Sequence, residues 1–233
     1  VMAITHLFDR SDPGKYRTGR QFRRLGYLMA SVNPAWDIRI SGNYPKSMRN
    51  PYIVVCNHQS FADIPIVSRL PWDMKWVGKD SLFNIPVLGW MMKVARDIPV
   101  KRGDRRSRAQ VMIDTKERLA QKVSVMIMPE GTRSPDGRVR EFNDGAFKLA
   151  LKLGIPVLPI ALDGSFDALP KSGWLFGAGS TIRLHVFDPI MTEDWANDGT
   201  GMCEHVRTKI INQVASWRNV APEEVDSLTP SGI

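Results

Sequence analysis

The sequence predicts an α/β fold, with a mostly parallel or mixed central sheet flanked by helices, and two observations support this prediction. Short apolar runs typical of buried strands alternate along the chain with longer segments of helical periodicity. The 233 residues, 43% hydrophobic and 24% charged, are enough to bury a full core. Alternating strands and helices usually form layers, so we assign residues 34–233 to one layered domain.

The first predicted element is a basic amphipathic helix over residues 15–32. Its apolar residues recur near helical spacing among arginines: Phe22, Leu25, Leu28, Met29 and Val32 among Arg17, Arg20, Arg23 and Arg24. This pattern fits a helix docked on the domain as well as a helix on a membrane surface. We assign residues 1–33 to an N-terminal basic amphipathic segment that associates with a membrane. The apolar start VMAITHLF, with valine at position 1, is what a truncated hydrophobic N-terminus would leave.

The remaining elements alternate between strand and helix. Strands are predicted at residues 37–41, 53–55, 123–129, 155–162 and 181–187, and helices at 105–122, 144–153 and 202–217. Apolar residues recur with helical periodicity in the helix at 105–122, at Ala109, Met112, Ile113, Leu119 and Ala120. In the last helix one face carries Met202, Val206, Ile210, Val214 and Trp217. The Trp-rich segment 70–95 is predicted to lie mostly in the core, with a smaller part as an apolar surface that dips into lipid.

The charge balance predicts an anionic partner. The 32 basic and 24 acidic residues give a net charge of +8, which suits a nucleic acid, a membrane surface or a phosphorylated substrate. The basic residues are dispersed and no aromatic-interleaved RNA-binding stretch occurs, which argues against nucleic acid. No run of 18 apolar residues is present, so no spanning helix is predicted. The two cysteines and four histidines have no zinc-type spacing, so we predict no metal site.

The stretch CNHQSFADIP, residues 56–65, follows the apolar run at 53–55 and places a histidine and an aspartate five residues apart. If His58 lies in the turn between a strand and a helix, Asp63 can hold one ring nitrogen while the other takes a proton from a hydroxyl. The stretch from Ser60 to Asp63 also fits a capping box, in which Asp63 only satisfies backbone amides at a helix start. The residues alone leave both interpretations open.

Two further stretches could bind phosphate. MPEGTRSPDG, residues 128–137, follows a predicted buried strand, where Arg133 offers a planar fork of donors and Gly131 allows a close backbone approach. Its alternative interpretation is a solvated turn that carries charges. VKRGDRRSR, residues 100–108, has arginines that could bind phosphate or could simply be surface charges at the start of a helix.

These stretches resemble a known family. NHQSFAD is similar to the N-H-x(4)-D motif, and PEGTRS to the E-G-T-R motif, of the 1-acyl-sn-glycerol-3-phosphate acyltransferases, in the same order and about 70 residues apart. The segment between them resembles the family's second block, in which Lys79, Pro86, Gly89 and Trp90 are in register and the phosphate-binding arginine falls on Arg102. GIPVLPIALDGS resembles the fourth block, which carries Pro159. The resemblance covers residues 36–189, with departures at Arg96, where a glycine is common, and Asp144, where a lysine is common.

The resemblance implies a glycerolipid acyltransferase-like fold and transfer of an acyl group from acyl-CoA or acyl-carrier protein to the free hydroxyl of 1-acyl-glycerol-3-phosphate, which gives phosphatidic acid. His58 is then the general base, and Asp63 orients it. The residues implied for the acceptor phosphate and its loop are Arg102, Glu130, Gly131, Thr132 and Arg133. No cofactor or metal is implied besides the acyl donor, and the protein is expected at the cytoplasmic face of a membrane.

Three alternatives stay open. The same chemistry could act on another acceptor, such as glycerol-3-phosphate or a lyso-aminolipid. A non-catalytic membrane-surface lipid-binding protein would suit the basic N-terminus, but it leaves the joint presence of His58, Asp63 and EGTR without a reason. Cys56 as a nucleophile beside His58 is disfavoured, because it lies in the apolar strand and is expected to pack in the core.

Overall fold

The computed structural model describes residues 2, 5, 9–45, 47, 49–169 and 179–229. The strands are β1 (Trp36–Gly42), β2 (Ile53–Cys56), β3 (Met74–Lys79), β4 (Ile98–Val100), β5 (Ser124–Ile127), β6 (Val157–Asp163) and β7 (Ser180–Val186). The helices in these ranges are α1 (Tyr16–Ser31), α2 (Asp63–Val67), α3 (Leu88–Val94), α4 (Arg105–Ala120), α5 (Gly145–Leu153), α6 (Ser165–Ala168), α7 (Gly199–Arg218) and α8 (Pro222–Val225). Short 3-10 helices lie at Asp80–Asn84 and Glu193–Trp195.

The seven strands form one mixed sheet in the order β1-β7-β6-β2-β5-β3-β4. Neighbouring strands are parallel except β6 and β7, which are antiparallel. Strand β2 lies at the centre, where Val54 pairs with Met126 of β5 on one side and with Leu158 of β6 on the other. The predicted α/β fold with a mixed sheet is therefore confirmed.

The burial of each strand explains its residue pattern. Every residue of β2 and β6 is buried, as expected for strands covered on both faces, whereas burial alternates along β7. Successive residues of β2 enter different cores: Ile53 and Val55 pack with helices α4, α5 and α7, and Val54 and Cys56 pack with α2 and α6. The sheet thus separates two apolar layers.

The parallel strands bring five chain segments to one edge of the sheet. Because β2, β3, β4, β5 and β6 all run in the same direction, the residues that follow them emerge at the same edge. These segments begin at residues 57, 80, 101, 128 and 164. The motifs around His58 and Glu130 meet there because β2 and β5 are direct neighbours.

Apolar spacing marks the buried face of one long helix better than that of the other. On α7 the predicted face is confirmed, with Met202, Val206, Ile210 and Val214 fully buried. On α4 the apolar residues do not all face the core, because Ile113 is 61% exposed while Val111, Thr115, Arg118 and Leu119 are buried. Val111, Thr115 and Leu119 are spaced four residues apart and so lie in one row along the helix. Because this row includes a threonine, a search for apolar residues alone does not find it.

Segment 70–95 has more structure than its composition indicates. Its first half forms β3, with Trp72, Met74 and Trp76 buried as predicted. Its second half forms the 3-10 helix and α3, which leave Ile85, Val87 and Trp90 exposed. Strand β4 follows directly. The core interpretation therefore holds for the first half, and the second half exposes apolar side chains whose contact with lipid stays a prediction.

Helix α1 docks through a face that the sequence did not single out. Its buried residues are Thr18, Gly19, Arg23 and Ala30, and it packs against α2, β3 and α3. Arg23 pairs with the buried Asp97 and lies 3.6 Å from Asp73, and a side chain at Gly19 would overlap the Asp73 carboxylate. The apolar residues Leu25, Leu28, Met29 and Val32 are exposed. No helix in the described part of the chain is both long and apolar enough to cross a membrane.

Candidate active site

His58 and Asp63 are in direct contact. The chain leaves β2 at Cys56, turns through residues 57–62 and enters α2 at Asp63, so that the histidine lies before the helix rather than on it. Nδ1 of His58 is 2.7 Å from Oδ2 of Asp63. The Asp63 side chain is fully buried, and that of His58 is 10% exposed. The strand-turn-helix geometry expected from the sequence is therefore present.

Asp63 also binds backbone amides, so the two interpretations of this aspartate hold together. Its Oδ2 accepts hydrogen bonds from the backbone N–H groups of Gln59 at 2.8 Å and Ser60 at 3.0 Å. The reciprocal half of a capping box is missing, because the Asp63 N–H reaches the Ser60 carbonyl at 3.4 Å and the Ser60 hydroxyl accepts from Ala62. One carboxylate thus shapes the turn and holds the imidazole.

The loop after β5 is joined to the His58 turn by two hydrogen bonds that the His58 backbone makes. The His58 N–H donates to Oε1 of Glu130 at 2.8 Å, and the His58 carbonyl accepts from the Ser134 N–H at 2.8 Å. Gly131, between them, has φ of +68°, which favours glycine, while a side chain there would meet only Asn143 at 3.8 Å. The EGTR loop is therefore hydrogen-bonded directly to the turn that carries His58.

Glu130 sits in an environment that favours its neutral form. Burial, with repulsion from the nearby Asp63 carboxylate, raises its pKa from 4.5 to about 8, although the hydrogen bond from the His58 N–H acts in the opposite direction. At neutral pH this side chain is therefore mostly protonated. It accepts a hydrogen bond without adding a second negative charge beside Asp63.

Two arginines face the same region from different strands. Arg102 follows β4 and Arg133 lies in the loop after β5. Partial burial, and then repulsion from Arg133, lower the pKa of Arg102, so the two guanidinium groups are electrostatic neighbours. Both line a cavity that His58 also lines. Two cations held close together favour an anionic ligand between them.

Two cavities meet at His58. The loop-side cavity, of about 520 Å³, is bounded by the EGTR loop, α4 and the start of α5, and it includes Glu130, Gly131 and Thr132. The helix-side cavity, of about 370 Å³, is bounded by α1, β3 and α3, and it includes Arg133. The two cavities share five lining residues, which are His58, Val77, Lys79, Arg102 and Met128. Two reactants could therefore approach one imidazole from different sides.

The family model described as Acyltransferase matches residues 37–163, which is more than half of the chain. This range includes every lining residue of the two cavities except Phe22 and Arg23. The chain belongs to the acyltransferase family. A chloroplastic 1-acyl-sn-glycerol-3-phosphate acyltransferase of Brassica napus is 36% identical over 209 residues, which cover 88% of this chain and 57% of that protein. The Arabidopsis thaliana protein of the same description is 36% identical over 212 residues, covering 90% and 58%. The chain thus spans less than two thirds of these relatives.

A solved structure of the family shares the fold. The crystal structure of the 1-acyl-sn-glycerophosphate (LPA) acyltransferase PlsC from Thermotoga maritima superposes with a TM-score of 0.77 at 25% sequence identity. The match covers 93% of this chain and 87% of that one. The arrangement of the sheet described above is therefore shared with a known acyltransferase.

Three other positions singled out from the sequence take no part in the contacts around His58. Arg96, the departure from glycine, adopts φ of +62° and binds Glu117 and the Pro13 carbonyl on the protein surface. Asp144 lines the loop-side cavity but pairs with Lys148 at 2.6 Å. Burial strongly raises the pKa of the Cys56 thiol, with a further contribution from Asp63, so the thiolate form that a nucleophile needs is disfavoured.

Two residues at the site were not singled out from the sequence. Asn57 clamps β6 to the turn, because its side chain donates to the Leu162 carbonyl at 2.8 Å and accepts from the Leu162 N–H at 2.9 Å. Ser165, which starts α6, donates its hydroxyl to Oδ1 of Asp63. Both were within quoted motifs, but only the adjacency of β2 and β6 shows what they contact. Among the described residues, no cluster of three or more His, Cys, Asp or Glu could hold a metal ion.

Proposed function

We propose that this protein transfers an acyl group from the thioester of acyl-CoA or acyl-carrier protein to the free hydroxyl of 1-acyl-glycerol-3-phosphate, which gives phosphatidic acid. The observation that carries the proposal is that His58 lies on the wall shared by two cavities and is in contact with the buried Asp63. The relatives named above, 36% identical, are described as 1-acyl-sn-glycerol-3-phosphate acyltransferases, which supports this acceptor.

His58 acts as general base in this reaction. Asp63 accepts a hydrogen bond from the Nδ1–H group, which leaves the lone pair on Nε2 for the substrate. As Nε2 takes the hydroxyl proton, the hydroxyl oxygen forms a bond with the thioester carbonyl carbon. The carbon–sulfur bond then breaks, and the leaving thiolate takes the proton from the imidazolium. The products are the ester and the free thiol, so no acyl-enzyme and no cofactor besides the donor is needed.

Arg102 and Arg133 hold the acceptor phosphate. Their mutual repulsion is relieved when a dianionic group lies between them. Gly131 and Thr132 bring the loop backbone to the same region, and the neutral form of Glu130 avoids a carboxylate that would repel the phosphate. Anchoring the phosphate fixes the distance from the headgroup to the hydroxyl that His58 deprotonates.

We also propose that the protein works on a membrane surface. Leu25, Leu28, Met29 and Val32 form an exposed apolar face on α1, with the exposed Arg17 and Arg24 beside it. The net charge of +8 complements anionic lipid. The acceptor is itself a lipid, so a surface contact next to the helix-side cavity, which α1 bounds, shortens its path to His58. The cytoplasmic face stays a prediction from the family resemblance.

The decisive experiment is an acyl-transfer assay with the purified chain. Lysophosphatidic acid, glycerol-3-phosphate and a lyso-aminolipid would each be offered with acyl-CoA and with acyl-carrier protein as donor. We expect phosphatidic acid as the principal product and a free thiol in equal amount. Faster transfer to either of the other acceptors would replace the substrate assignment, and transfer to none of them would overturn the proposed function.

A further inference from the structure

Ser165 lies directly behind the catalytic pair. It follows β6 and begins α6, and it is completely buried. Its Oγ is 2.5 Å from Oδ1 of Asp63, the carboxylate oxygen that does not face the histidine. A serine at a helix start usually caps backbone amides, but α6 has Gly164 at its N-cap and no side-chain cap. The hydroxyl therefore has a different partner from the usual one.

The Ser165 hydroxyl donates its hydrogen bond to Asp63. Gln59 offers a second acceptor, but its Oε1 is 3.4 Å from Oγ, compared with 2.5 Å for the carboxylate. A single hydroxyl proton can make one good hydrogen bond, and an ionised acceptor at the shorter distance binds it more strongly. Among the described residues, the donors to Asp63 are then His58 and two backbone amides on Oδ2, and Ser165 on Oδ1.

The turn that carries Ser165 is firmly held. Gly164 has φ of +84°, and a side chain there would overlap the Thr181 carbonyl oxygen of β7. Asp163, the residue before it, accepts from Nη2 of Arg218 at 2.6 Å and from Nε2 of Gln59 at 3.2 Å. The position of the hydroxyl is thus set by β7, α7 and the His58 turn together.

We propose that Ser165 is a positioning residue of the active site, whose hydroxyl holds the Asp63 carboxylate in the orientation from which Oδ2 steadies the His58 imidazole. Without this bond Oδ1 is a buried anionic oxygen with no donor from α6, and the carboxylate can rotate away from Nδ1. This inference rests on the function proposed above. It adds a third side chain to the pair, contributed by the start of α6, which lies outside the N-H-x(4)-D and E-G-T-R motifs.

The kinetic test compares Ser165→Ala with a matched control. Ser68→Ala removes another buried serine hydroxyl, one that donates to the Ile64 carbonyl at 2.7 Å and lines neither cavity. We expect Ser165→Ala to lower kcat about 10- to 100-fold, the effect of losing one hydrogen bond to a charged group, with little change in the KM of the acceptor. Ser68→Ala should leave kcat within about twofold of the wild type.

A double-mutant cycle shows whether Ser165 acts through Asp63. In an Asp63→Asn background the orientation of the carboxylate no longer matters, so adding Ser165→Ala should cost less than about threefold. Ser165→Thr keeps the hydroxyl and should recover most of the activity, whereas Ser165→Cys should not. A kcat unchanged in Ser165→Ala, or an equal loss in both backgrounds, would overturn the proposal.

A second readout needs no substrate, so it separates this proposal from the acceptor assignment. The proton between Nδ1 of His58 and Asp63 should give a far-downfield proton NMR signal in the free protein, absent from His58→Ala. We expect this signal to move or disappear in Ser165→Ala and to stay in Ser68→Ala. An unchanged signal in Ser165→Ala would refute the positioning role even if acyl transfer is confirmed.

Discussion

At the scale of single residues, His58 combines two properties that a general base needs. It is held by Asp63 at 2.7 Å, and it borders both cavities. We expect His58→Ala to lower kcat by about 10² to 10⁴ while the fold remains intact, because general-base catalysis contributes about that much. His205→Ala, which removes an exposed histidine on α7, is the control. Near-normal turnover of a folded His58→Ala variant would contradict the assignment.

Arg133 is expected to act on binding rather than on the chemical step. Removing its guanidinium should raise the KM for lysophosphatidic acid by about 10-fold or more, since charged hydrogen bonds contribute roughly 1.5–3 kcal/mol, and should change kcat less. Arg106→Ala is the control, because that exposed arginine lines neither cavity. A fall confined to kcat in Arg133→Ala would place the guanidinium at the transition state instead.

Glu130 should give the stability of the protein a specific pH dependence. Its pKa is about 8 in the folded protein and 4.5 as the ordinary value, so between these limits the folded state holds a proton that the unfolded state has released. The free energy of unfolding therefore falls as pH rises through this window, by up to about 1.4 kcal/mol per pH unit. Denaturant titrations should show Glu130→Gln becoming progressively more stable relative to the wild type from pH 4.5 to 8. Parallel pH profiles would contradict the buried, protonated state.

At the scale of elements, the corner between the 3-10 helix and α3 depends on Gly89. A side chain at this position would overlap the carbonyl oxygen of Phe83, which lies in the preceding element and cannot move alone. We expect Gly89→Ala to lower the free energy of unfolding by about 1–3 kcal/mol. Gly26→Ala in α1 meets only ordinary contacts and should be neutral or stabilising. Thermal denaturation of both variants would check this, and equal behaviour would refute it.

The exposed face of α1 predicts a membrane contact that can be weakened without disturbing the docked face. The double variant Leu28→Glu, Met29→Glu should bind anionic vesicles at least about 10-fold more weakly in a sedimentation assay, because it removes roughly 3 kcal/mol of apolar burial. Ile113→Glu, at an equally exposed apolar residue on α4, is the control. Unchanged vesicle binding of the double variant would remove α1 from the membrane contact.

At the scale of the whole molecule, the site is a product of strand order. His58 and Glu130 are 72 residues apart in the sequence, and Ser165 comes later still, yet β2 lies between β5 and β6. Their loops therefore leave the sheet side by side. Neither motif predicts this order, because strand pairing depends on packing between distant segments rather than on the residues within each segment.

Local patterns determined much of this protein from the sequence alone. Periodicity located most helices and strands, and the resemblance of NHQSFAD and PEGTRS to two family motifs implied the chemistry, since both signals depend on residues close together in the chain. Only the tertiary structure decided which face of α1 is buried, because the Arg23–Asp97 pair and the small residue Gly19 outweigh its apolar face. It also decided that Ser165 stands behind Asp63. Contacts of this kind form between elements, where one residue meets a partner that its own neighbours do not specify.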